Sequence, residues 1–67
     1  MESEIKDLAV TYESMKAKNA AEILQSMKND LDTVALSMNN MSAEGKADIL
    51  AEMEPDFAAL ITKKLLP

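Results

Sequence analysis

Two groups of carboxylates are the residues whose types and spacing could do chemistry: Asp30 with Asp32, and Glu52 with Glu54 and Asp56. Oxygens clustered in this way suit a hard cation such as Mg²⁺, which takes carboxylate ligands and keeps several of its waters. Neither group has calcium-loop spacing. Acids beside helix starts also serve as caps and as partners of the helix dipole, so both groups read as cap and surface acids rather than a dedicated metal site. Ser14, Ser26, Ser37 and Ser42 have no base pattern near them, and the chain contains neither histidine nor cysteine. Glu52 and Asp56 are four residues apart but straddle Pro55, where a helix must break. With no activated nucleophile, no base and no glycine-rich phosphate loop, the chain reads as a non-enzyme with no catalytic residue, no cofactor and no metal.

The elements that position these residues are helical. Ala, Leu, Met, Glu and Lys dominate, and only one glycine and two prolines interrupt 67 residues. These are good helix formers, and strand-forming runs are scarce, so the fold class is all-α. A net charge of −5 argues against nucleic acid and against anionic membrane surfaces as partners. No apolar run approaches the roughly 20 residues of a membrane span, and no basic-then-apolar leader is present. Any membrane anchor is therefore expected outside these residues.

Met1, Ile5, Leu8, Tyr12 and Met15 follow a heptad seam, which predicts a first helix over 2–16. Two heptads are too short to hold a coiled coil alone. This helix is either amphipathic and packed on the next ones, or the end of a longer coiled coil. Val10 lies off the seam and suggests a second contact face. Ala20, Ile23, Leu24 and Met27 stripe a second helix over 17–27, and Leu31, Val34, Ala35 and Met38 a third over 30–38. Asn29 or Asp30 caps the third, and Asn39-Asn40 ends it. Ser42 caps a fourth, with Ala43, Ala47, Leu50 and Met53 as its inner stripe and Ile49 flanking. Gly45 is either tolerated near that helix start or marks a close backbone approach. Pro55 opens a fifth helix, whose apolar face is Phe57, Leu60, Ile61 and Leu65 and whose last turn carries Lys63 and Lys64.

An internal repeat orders these helices. The stretch from Met15 to Met27 falls on Met41 to Met53 at an offset of 26, with Ala17 on Ala43, Ala21 on Ala47, and Glu22-Ile23-Leu24 on Asp48-Ile49-Leu50. Short helices do not persist alone in water, so each must bury its stripe on its neighbours. The expected architecture is a right-handed superhelical stack of about five short helices. Residues 1–16 form the N-terminal heptad helix, and 17–67 form the repeat. The repeat itself does not set the handedness. Ile23, Leu24, Ile49 and Leu50 are expected among the most buried residues.

The seam residues Ile5, Leu8, Tyr12 and Met15 predict a homodimer through the first helix. The sequence has six methionines, an adaptable residue common at binding surfaces. Met15, Met27, Met41 and Met53 recur at helix boundaries and read first as filler. Met38 and Met41 flank the Asn39-Asn40 turn and are the candidates for a partner surface.

The segment Tyr12-Glu13-Ser14-Met15-Lys16-Ala17-Lys18-Asn19-Ala20-Ala21-Glu22-Ile23-Leu24 resembles a motif of Tyr, x, x, Met, Lys, Pro, Lys, x, Ala, Ala, x, Ile, Leu. That motif belongs to flagellar proteins of the MotE/FlbB type, whose domain is related to the N-terminal domain of MgtE magnesium transporters. Met41–Leu50 and Met53-Glu54-Pro55-Asp56-Phe57-Ala58-Ala59 look like its later repeats. Ala17 and Ala43 stand where the family often has Pro. The resemblance implies a non-catalytic scaffold or chaperone module of a flagellar motor accessory protein, periplasmic and anchored to the inner membrane, with protein partners in the motor or stator. The alternative it implies is the cytosolic Mg²⁺-sensing N-domain of an MgtE-type transporter.

Overall fold

Each junction in the chain is a short turn set by local hydrogen bonds, and these junctions define the helices. In the computed structural model, which describes residues 2–66 (the side chain of Glu2 excepted), the order is α1 (Glu2–Glu13), α2 (Ala17–Ser26), α3 (Leu31–Asn39), α4 (Ala43–Ala51) and α5 (Pro55–Leu65). Helix α1 stops at Glu13, three residues short of the expected end. Ser14 and Met15 close a turn on Val10, Thr11 and Tyr12, and Lys16 is extended. Asp30 caps α3, accepting from Thr33 N at 3.3 Å and Thr33 Oγ1 at 2.8 Å. Ser42 caps α4 by accepting from Gly45 N at 3.1 Å. Helix α5 has no side-chain cap, but Pro55 opens it, where the missing N–H costs nothing. Met1 of the heptad seam and Pro67 lie outside the described residues.

The packing joins alternate helices. The broadest contacts lie between α3 and α5, then α2 and α4, then α1 and α3, with α1 also against α2. A Cα radius of gyration of 10.5 Å matches the roughly 11 Å of a compact 67-residue domain. Among the described residues the fold is all-α, as composition required.

One core runs through all five helices: Ala9 and Tyr12 of α1, Ala20, Ala21 and Leu24 of α2, Val34 and Met38 of α3, Ile49 of α4 and Ile61 of α5, with Met41 and Met53 from the turns. Ala9 is fully buried. Its small side chain lets α1 sit close, so α1 belongs to the same core as the repeat.

The two repeat copies do not bury the same positions. Ile23 is 42% exposed, whereas its counterpart Ile49 is 1% exposed. Leu24 is buried while Leu50 is half-buried. The expected burial of Ile23 is therefore corrected. The inner stripe of α4 is likewise corrected: Ala43 and Ala47 face out, and Ile49 with Met53 faces in. A difference of one residue is about 100° of helix rotation, so α4 is turned by roughly that angle from the orientation of α2.

Candidate interaction surface

The dimer seam is divided by the fold. Tyr12 is buried, and Met15 packs partly buried against the core. Ile5 is half-buried, and Leu8 is 37% exposed. Tyr12 and Met15 are therefore largely occupied by the chain's own helices, and Leu8 is the seam residue that faces solvent. The reason is that α1 turns Ala9 and Tyr12 inward, three residues apart, and this stripe is rotated from the heptad line.

Met38 and Met41 do not form the surface expected of them. Both are core residues. Met38 stands four residues after Val34 on the buried stripe of α3. The Met41 N–H donates to the Met38 carbonyl at 3.0 Å, and the turn so made carries Met41 inside. Only Asn39 and Asn40 between them are exposed, and Asn40 Nδ2 donates back to Leu36 O at 2.8 Å.

Large apolar side chains that reach solvent lie both on the expected stripes, as Leu8, Ile23 and Leu60 do, and off them, as Val10 and Leu36 do. Leu36 on α3 and Leu60 on α5 are each half exposed. One turn before Leu36 is Asp32, and one turn after Leu60 is Lys64. These two meet in an ion pair with Lys64 Nζ 2.8 Å from Asp32 Oδ1. A shallow groove of about 260 Å³ opens there, lined by Lys28, Asn29, Asp30, Leu31, Asp32 and Lys64. Its charges balance, and the Asp30 carboxylate is already bonded to Thr33. The sequence signal for Leu36 was its displacement from the 3–4 spacing, the same signal Val10 gives in α1, whereas Leu60 keeps that spacing and its expected place on the inner face of α5 is corrected.

The acidic groups separate into distinct roles. Asp30 is a cap and Asp32 an ion-pair partner, while Glu52, Glu54 and Asp56 are exposed. Among the described residues, no three of them converge where a metal ion could be held. The serines differ too. Ser14, just past α1, donates to the Val10 carbonyl at 2.8 Å, and Ser26 to the Glu22 carbonyl of α2 at 3.0 Å. Ser37 is buried, and its hydroxyl has no hydrogen-bond partner.

Two polar braces between distant helices were not legible in the sequence. Glu13 Oε2, at the end of α1, accepts from Ser42 Oγ at 2.6 Å and from Ser42 N at 3.2 Å. Gln25 Oε1, near the end of α2, accepts from Glu54 N at 2.7 Å. Both braces span 29 residues, and both satisfy the backbone N–H of the residue that precedes a helix three places further on. Gly45 makes room for the first. A Cβ there would lie 2.8 Å from Glu13 Cδ and Cγ. The glycine therefore marks a close approach, but of a side chain to backbone rather than of two backbones.

No helix among the described residues is long and apolar enough to cross a membrane. No family model, curated protein or solved structure matches the chain.

Proposed function

We propose that the chain is a non-catalytic protein–protein interaction module, a scaffold or chaperone of a periplasmic flagellar motor accessory protein, built as a superhelical stack. The observation that carries the stack is the repeated brace, Glu13 to Ser42 and Gln25 to Glu54, at one separation of 29 residues. The two braces are one helix apart along the chain, each tying the end of a helix to the start of the helix three places on, which suits a stack of successive short helices whose outer faces serve partners. The flagellar assignment is supported by the ordered Tyr12–Leu24 motif and by its later copies.

Self-association through α1 is part of this reading. Leu8 and Val10 are the apolar groups that α1 offers to solvent. Two heptads bury too little for a tight dimer once association entropy is included. The domain is then a weak dimer, and Leu8→Glu makes it a monomer that keeps its helices. A variant still dimeric by sedimentation would remove α1 as the interface.

The function is tested by deleting the gene in its source organism. The expected result is loss of swimming, restored by the full-length chain and not by one confined to the cytoplasm. Normal motility with a Mg²⁺-dependent growth defect would replace this reading with the transporter domain.

A further inference from the structure

Four methionines close the four turns of this chain in one way. Met15, Met27, Met41 and Met53 follow α1, α2, α3 and α4, and the N–H of each donates to the carbonyl three residues back, at 3.1, 3.1, 3.0 and 3.1 Å. Each side chain packs on the common core. The internal repeat pairs Met15 with Met41 and Met27 with Met53. The two members of each pair differ in exposure. Met41 and Met53 are 7% and 6% exposed, and Met38 is fully enclosed. Met15 and Met27 are only half-buried. The same residue in the same turn therefore reaches solvent in the first copy and is shut in by the second.

A thioether at the solvent edge of a core is a reactive group as well as a space filler. Its sulfur lone pair attacks one oxygen of hydrogen peroxide, the O–O bond breaks, and the other oxygen leaves as water with both protons. The sulfur is oxidised to the sulfoxide, whose polar S=O no longer suits an apolar contact. A methionine sulfoxide reductase with a thiol reductant returns the thioether, releasing water and a disulfide.

We propose that Met15 and Met27 are sites of reversible oxidation by peroxide, and that their sulfoxides loosen the packing of the first two turns on the core. Both turns hold helices in register. Met15 lies where α1 gives way to the extended Lys16. Met27 donates to Leu24 O, and its own carbonyl accepts at 2.9 Å from the N–H of Asp30, the residue that caps α3. The enclosed Met38, Met41 and Met53 meet peroxide only when the domain opens, so they serve as an internal comparison. The proposal goes beyond the interaction module and takes nothing from that reading but the fold.

The test is peroxide treatment of the folded domain followed by tryptic mass spectrometry. Cleavage at lysine leaves Met15 alone in peptide 7–16, Met27 alone in 19–28, Met38 with Met41 in 29–46 and Met53 alone in 47–63. Met15 and Met27 should oxidise at least about tenfold faster than the other three, and all five should react alike in concentrated urea. Protein oxidised at those two positions should unfold at a urea midpoint lower by about 0.5 M or more. The two epimer-specific sulfoxide reductases with dithiothreitol should restore the midpoint. Met15→Leu with Met27→Leu conserves volume, so it should keep the helices by circular dichroism and lose no midpoint to the same peroxide dose.

Equal oxidation of all five methionines in the folded domain would overturn the assignment of the sites. An unchanged midpoint after oxidation at Met15 and Met27 would overturn the loosening, and a loss that the reductases do not reverse would overturn its reversibility. A midpoint that still falls in the double leucine variant would put the damage elsewhere and overturn the proposal. If that variant does not fold, the peptide rates and the reductase-restored midpoint of the unaltered chain decide. None of these readouts depends on motility or on a partner, so the failure of one reading is separable from the failure of the other.

Discussion

Glu13 and Ser42 are 29 residues apart, yet one carboxylate oxygen of Glu13 accepts from both the backbone N–H and the hydroxyl of Ser42. The hydroxyl oxygen in turn accepts from Gly45 N. The end of α1 therefore completes the cap of α4, and the absent side chain of Gly45 leaves the space for it.

This node predicts a coupling. Replacing a helical glycine by alanine gains up to about 1 kcal/mol from helix propensity. In the intact protein Gly45→Ala displaces Glu13 and gains less than that, or loses. With Glu13→Ala already in place the gain should appear in full. Denaturant melts of the four proteins form a double-mutant cycle, and a coupling below about 0.5 kcal/mol would show that a methyl group at position 45 leaves the brace undisturbed.

The rotation of α4 against α2 predicts unequal costs at matching positions. Ile49→Ala should cost about 2–5 kcal/mol, as for a buried aliphatic residue. Leu50→Ala, half-buried, should cost about 1–2 kcal/mol, and Ile23→Ala less than about 1 kcal/mol. Equal losses at Ile23 and Ile49 would contradict the rotation.

Ser37 predicts a gain. A buried hydroxyl without a partner carries a desolvation penalty of about 1–3 kcal/mol. Ser37→Ala should raise the urea midpoint by an amount corresponding to about 1 kcal/mol. A lower midpoint would mean that the hydroxyl is bonded in solution.

The Asp32–Lys64 pair predicts little. Both side chains are largely exposed, and exposed pairs contribute about 0–1 kcal/mol. Lys64→Met should change stability by less than about 0.5 kcal/mol, and 1 M NaCl should make the two proteins equal. A difference that survived high salt would point to packing by the lysine stem.

Local physics is what the sequence determined on its own. Asp30 and Ser42 are caps because a short polar side chain can reach the third residue of its own helix, and Pro55 opens a helix because of its ring. Neither fact needs a distant neighbour, so helix existence, order and most boundaries follow from the chain alone. The face each helix turns inward does not. Ala21 and Ala47 share a sequence setting, yet one is buried and the other bare, because α4 turns a different arc of its surface to the core than α2 does. Met38 and Met41 went inside for a related reason: a methionine beside an exposed turn is placed by how that turn closes. The 29-residue braces also belong to the tertiary structure, because only packing brings the end of one helix to the start of another three places on.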